Sequence, residues 1–159
     1  MSEPNAGSTS PRSGELPAET IQFAHRMFDA ARNGDVPLLK TALEARLPIN
    51  LTNQQGNTIL MLAAYAGHTE LTKLLISRGA DVNRPNDRGQ SPLAGAVFKG
   101  YDEIVKALVA GGANPREGQP TAIQTARMFK RQDLLEILGA TDEDLQEQVP
   151  LIPGPPPLT

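Results

Sequence analysis

The stretch GNTILMLAAYAGHTELTKLLISRGADVN, Gly56 to Asn83, joins a helix-like apolar run, a central Gly-His and a terminal Gly-Ala-Asp. A related stretch, GQSPLAGAVFKGYDEIVKALVAGGANP, begins at Gly89. Gly56 maps onto Gly89, Leu60 onto Leu93, Ala63 onto Ala96, Gly67 onto Gly100, Leu75 onto Leu108 and Gly79 onto Gly112, always at the same step of 33 residues. A step backwards takes Gly67 to Gly34, Ala64 to Ala31 and Asn83 to Asn50. A step forwards, shortened near Gly118, takes Ser91 to Thr121 and Ala96 to Ala126. A fixed period of this length is the mark of a stacked repeat, in which small and apolar residues bury against the neighbouring unit while outward positions vary.

Each unit has one local logic. Thr58, Ser91 and Thr121 stand where a hydroxyl can accept from an orphan N–H at a helix start. Pro92 takes the first helical position, where no N–H is needed. A short helix follows with paired small residues, which let another helix approach. Gly67 and Gly100 turn the chain into a second helix. Its stripe is Leu71, Leu74 and Leu75 in one unit, and Ile104, Ala107 and Leu108 in the next. Gly79 and Gly112 follow its end, where a left-handed backbone is wanted. The segments ADVNRPNDRG and ANPREGQ are turn formers and predict hairpin-like loops.

These residues resemble the ankyrin repeat, whose unit reads G-x-T-P-L-H-x-A-A-x-x-G-H, then L-L, then G-A-D-x-N. The resemblance covers about 120 residues. It implies an all-α solenoid of four stacked helix-turn-helix units, two full and two atypical capping ones. The opening helix, around Ala18 to Arg32, and TAIQTARMFKRQDLLEILGA would be the caps. The family's histidine in T-P-L-H is replaced by Met61, Ala94 and Gln124, so its hydrogen-bond ladder is expected to be missing and apolar packing to carry more of the stack.

The chain has 159 residues and reads as one body, 18–140, between a tail at 1–17 and an acidic, then proline-rich, tail at 141–159. Both tails are too polar or proline-rich to build a core. Thr141 and the acids after it are expected to form a short solvated helix. The four acids after Thr141 carry −4 against a net charge of −3, leaving the rest of the chain at about +1, a near-neutral body without the positive field of a nucleic-acid binder. Cysteine is absent. The start of the chain lacks the apolar stretch of a secretory signal, and ILMLAAYA is too short to cross a bilayer. A cytoplasmic, or nuclear, monomer with no membrane partner is expected.

No Ser, His and Asp set recurs at a shared place, and neither His25 nor His68 has metal-ligand spacing, so no catalytic, cofactor or metal site is predicted. His68 is expected to bond its local backbone at a helix start. The resemblance implies instead a non-catalytic adapter or regulator that binds a protein in a concave groove. The groove positions are Arg32, Tyr65, Phe98, Lys99, Met128 and Phe129, which include three of the six aromatics. Such rings either form a binding row or fill gaps between stacked helices. The loop tips add Gln54, Gln55, Asn57, Asp87, Arg88 and Gln90. Alternatives are a nucleic-acid-associated regulator using Arg88, Lys99, Lys130 and Arg131 with the rings, or an inhibitor or regulatory subunit of an enzyme.

Overall fold

The computed structural model describes residues 17–148. Residues 1–16 and the proline-rich end, to which the tail expectations apply, lie outside the described residues. Helices α1 (Ala18–Asn33) and α2 (Val36–Glu44) form the first unit. Helices α3 (Ile59–Tyr65) with α4 (Thr69–Ser77), and α5 (Pro92–Lys99) with α6 (Asp102–Ala110), form the two full repeats. Helices α7 (Ala122–Met128) and α8 (Gln132–Ile137) form the last unit, followed by α9 (Asp142–Gln146). The inner layer packs in the order α1, α3, α5, α7 and the outer layer in the order α2, α4, α6, α8. No strand forms among the described residues, and the expected all-α solenoid is the observed one.

The inner helices start as their sequence directs. Thr58, Ser91 and Thr121 accept from the backbone N–H groups of Met61, Ala94 and Gln124. Gln124, which replaces the family's histidine, turns back to accept from the Thr121 N–H and closes a capping box. Every residue of α3 except Tyr65 is buried. Ala31 and Ala64 are fully enclosed and Val97 nearly so, as their small size anticipated. On the outer layer Leu71, Leu75, Ile104 and Leu108 have no exposure, and Leu74 and Ala107 flank them half-buried.

The histidine ladder is absent, yet the units are bridged by other polar rungs. Asn50 Oδ1 accepts from the Asp81 N–H at 2.8 Å, and Asn83 Oδ1 accepts from the Asn114 N–H at 2.6 Å. Each rung contributes on the order of 1 kcal/mol. His68 corrects its expectation. It makes no cap at α4; its Nε2 lies 2.6 Å from the carbonyl oxygen of Arg32, one unit away. The reason is the glycine before the outer helix. A Cβ on Gly34 would lie 2.5 Å from the His68 ring, and one on Gly67 would lie 2.9 Å from the ring of Tyr101, the residue one repeat after His68. Each of the two full repeats thus leans a ring onto the bare backbone of the unit before it.

The acidic segment is a helix capped by Thr141, as expected, but one of its acids is not solvated. Arg116, from the loop after α6, holds Asp144 through two N–H groups, at 3.0 Å from Oδ1 and 2.6 Å from Oδ2. Asp144 also accepts from the N–H and hydroxyl of Thr141. Arg127 of α7 donates to the carbonyls of Asp144 and Glu147 at 2.8 and 2.6 Å. Helix α9 is therefore clamped onto α7.

The Arg116 hydrogen bond, helped by those from Thr141, holds the Asp144 carboxyl well below the usual carboxylate range. A depressed folded-state value adds stability that is complete above the unfolded value, about 4, and fades as pH falls towards the folded value. Asp144→Asn is therefore expected to lower the melting temperature at neutral pH, with the gap to wild type narrowing as acid is added below about pH 4. A gap that stays constant down to pH 2 would show that the ion pair does not hold α9.

A paired substitution isolates the ring contact. Gly67 and Gly79 both have left-handed φ, +86° and +89°, but only Gly67 has a neighbour where a Cβ would go. Both alanine variants carry a backbone strain of about 1–2 kcal/mol. Gly67→Ala is expected to lose more, because Tyr101 must move; equal losses in urea melts would rule the contact out.

Candidate functional site

The predicted groove positions lie at one end of the inner helices, because each closes its helix at the same step of the repeat. Arg32 is near the end of α1, Tyr65 ends α3, Phe98 and Lys99 end α5, and Met128 and Phe129 end and follow α7. The rings are neither a free row nor mere filler. Tyr65 is half-buried; a Cβ on Gly95 of the next inner helix would meet its ring at 3.0 Å. Lys99 Nζ lies 4.9 Å from the Tyr65 ring centre and 5.9 Å from that of Tyr101, so its charge rests on two aromatic rings. Burial, with a smaller push from Tyr101, raises the Tyr65 phenol above its ordinary value. The half-buried Phe98 meets Phe129 with ring centres 5.6 Å apart and tilted by 57°. Phe129 is 45% exposed, Met128 is half-buried and Lys99 is exposed.

The loop residues divide into two sets. Gln54, Asp87 and Arg88 are exposed, and Gln55 is partly so. Asn57 and Gln90, expected at the tips, are buried at the hairpin roots, with 1% and 5% exposure. Each directly precedes an N-cap, Thr58 or Ser91, and turns in against the stack with it. Both thus belong to the packed roots of the hairpins rather than to their exposed tips. The Asp87 N–H donates to the Gln55 carbonyl at 3.0 Å and the Gln119 N–H to the Gly89 carbonyl at 2.8 Å, tying successive loops together.

The helix set and the loop set meet at the first unit. An open recess of about 220 Å³ has one wall from α1, with His25, Phe28, Asp29 and Arg32, and another from the loop, with Asn53, Gln54 and Gln55. Arg32 donates to Asp29 at 2.9 Å across the top of α1. Asn53 was not foreseen. Its signal was its place one repeat before Asn86, at the same point of the turn.

Arg131, a candidate for nucleic-acid contact, is engaged by two carboxylates, Asp102 at 2.8 Å and Asp133 at 2.9 Å. Its hydrogen bonds to Asp133 and Asp102 raise its own pKa, and the bond from Arg131 lowers that of Asp133. Among the described residues no group of three or more His, Asp or Glu side chains could hold a metal ion.

Paired inner and outer helices, hairpin loops and polar rungs at a 33-residue step are the geometry of one repeat family. The model for ankyrin repeats, three copies, matches residues 27–119. The chain belongs to the ankyrin repeat family. An ankyrin repeat protein of Pseudomonas aeruginosa is 46% identical over 56 residues, which are 35% of this chain and 33% of that protein. Human ankyrin repeat domain-containing protein 29 is 43% identical over 49 residues, 30% of this chain and 16% of that protein. The matches thus span a third or less of these relatives. The crystal structure of the human ASB11 ankyrin repeat domain is similar, with a TM-score of 0.66 at 27% identity, over 79% of this chain and 57% of that one. Ankyrin repeats are generally protein-interaction modules.

Truncating the rings separates packing from surface. Tyr65→Ala is expected to lower stability by about 1–2 kcal/mol, because the ring fills space against α5. Phe129→Ala is expected to lower it by less than about 1 kcal/mol. Chemical denaturation of both variants is the measurement, and the reverse order would place Phe129, not Tyr65, in the packed layer.

Proposed function

We propose that this ankyrin stack is a non-catalytic adapter or regulator that captures a protein partner on the face lined by its inner helices and loop tips. The observation that carries the proposal is the edge of cations and rings at the ends of the inner helices, where Phe129 stays 45% exposed although Phe98 packs beside it. An exposed ring set in a firm apolar seat is the usual material of an interface hot spot. Lys99 and Arg32 flank the rings, and Gln54, Gln55, Asp87 and Arg88 supply polar contacts above them. The chain's net negative charge and the neutralised Arg131 speak against nucleic acid as the ligand. Among the described residues no helix is long and apolar enough to cross a membrane.

The experiment is affinity capture from native cell extract, identification of the partner, and titration of the two purified proteins. The double variant Phe98→Ala with Phe129→Ala is expected to bind at least about thirtyfold more weakly, since two rings at roughly 1–3 kcal/mol each lose about 2 kcal/mol or more and each 1.4 kcal/mol is tenfold. Its melting curve must remain cooperative for the comparison to count. A folded double variant that binds at full strength would remove this edge as the binding face. A steep loss of affinity with salt would turn the reading towards nucleic acid.

A further inference from the structure

The described part of the chain ends beside the aromatic edge. Gln148 follows Glu147, whose carbonyl oxygen accepts from Arg127 Nη1 at 2.6 Å. Arg127 is the next-to-last residue of α7, and Met128 and Phe129 come directly after it. The eleven residues after Gln148, VPLIPGPPPLT, therefore set out from the end of α7 that carries the last ring. They hold five prolines and no charged side chain, and Pro150, Pro153 and Pro156 recur at every third residue. In a polyproline II helix, with three residues per turn and a rise of about 3.1 Å per residue, these three share one face at a spacing of about 9 Å. The edge offers apolar seats at a matching interval, since packed helices stand about 8–10 Å apart. Phe98 and Phe129, with ring centres 5.6 Å apart, form one seat between α7 and α5. Tyr65, set against Gly95 of α5, forms the next, one period before Phe98.

We infer that residues 149–159 lie back along this edge as an internal ligand, Pro153 on the Phe98 and Phe129 seat and Pro156 on Tyr65, and that a protein partner must displace them. Proline-rich segments dock on aromatic-lined grooves because their extended conformation is already ordered, so that little entropy is lost on binding. Charge agrees with this occupant. Lys99 already rests on two rings, so the seats present apolar surface to an incoming chain, and the segment brings no charge of its own. Direction agrees too. Beyond α9 no further unit stands among the described residues, whereas the rings lie on the side of α7 and α5. Two proline contacts would hold a separate peptide only weakly. A short tether raises the effective concentration of the segment to about millimolar, which is enough to keep such a contact occupied. The docking stands on the exit point and the matching intervals; its regulatory consequence rests on the reading of this edge as the binding face.

The chain has no cysteine, so Thr159→Cys places one nitroxide spin label at the far end of the segment. In the full chain labelled with nitrogen-15, the loss of amide signal is expected to be greatest at Tyr65 to Gly67, two units away from α9. Pro153→Asp with Pro156→Asp puts charge on the apolar seats and is expected to move the greatest loss back to α7 and α9, where the segment sets out. Phe98→Ala with Phe129→Ala is expected to do the same. A greatest loss at α7 and α9 in the unaltered segment would overturn the docking, as would a loss that stays at Tyr65 in the aspartate variant. Signal loss in a mixture that carries the spin label and nitrogen-15 on different molecules would assign the segment to a second copy and overturn it as well. Towards a captured partner the aspartate variant is expected to bind severalfold more tightly, and equal affinity would overturn the regulatory part. The two readings fail separately when the ring variant is titrated in the aspartate background. Docking at Tyr65 with undiminished partner binding there leaves the internal contact standing and removes the binding face. No docking with weakened partner binding does the reverse.

Discussion

The spacing of the stack is set where small residues of one inner helix press on the next. Ala31, Ala63, Ala64, Ala96 and Ala126 have no exposed surface, and at these positions a longer side chain would hold neighbouring helices apart. That separation fixes everything strung between the units. The rungs from Asn50 to Asp81 and from Asn83 to Asn114 are 2.8 and 2.6 Å long, and the backbone bond from Asp87 to Gln55 is 3.0 Å. A hydrogen bond tolerates only a few tenths of an ångström of stretch. Apolar contact therefore positions the helices, and the polar rungs then fix the register of the loops that carry exposed residues.

The same constraint shapes the candidate binding face. Tyr65 lies against α5 because Gly95 has no side chain, and its ring then supports the charge of Lys99. Phe98 performs the equivalent service for Phe129. The face is built in two steps, each full repeat seating a side chain of the next unit, so its rigidity comes from the core beneath it. A pre-ordered face of this kind loses little side-chain freedom on binding.

Much of the architecture was legible because the period exposes it. Once Gly56 was set against Gly89, the caps at Thr58, Ser91 and Thr121 and the enclosed position of Ala64 followed from helix chemistry. The site was only partly legible. Asn57 and Gln90 are polar and lie in turn-forming sequence, so composition put them at the tips; the turn of the chain into the N-cap puts them inside. His68 sits at a helix start, but its partner is the carbonyl of Arg32, 36 residues away, and no local pattern states that distance. Arg116 and Asp144 are 28 residues apart and fall outside the repeat, so neither periodicity nor local charge pattern could pair them. Asn86 donates its side-chain N–H to Asn57 of the preceding hairpin, but Asn53 leaves its side-chain nitrogen unpaired among the described residues because Ala24, one period before Asn57, has no side-chain oxygen, and a sequence repeat shows matches more readily than the consequence of a mismatch.

The clamp on α9 gives the molecule a direction. In a linear stack each unit is held only by its neighbours, so loss of structure begins at an end and runs inward. At one end two arginines bind α9 back onto the last unit. At the other, Ile21, Phe23 and Leu38 remain open to solvent and the amide ladder stops at Asn53. The clamp therefore raises the cost of fraying at the α9 end, since α7 cannot leave the stack without breaking an arginine contact to α9.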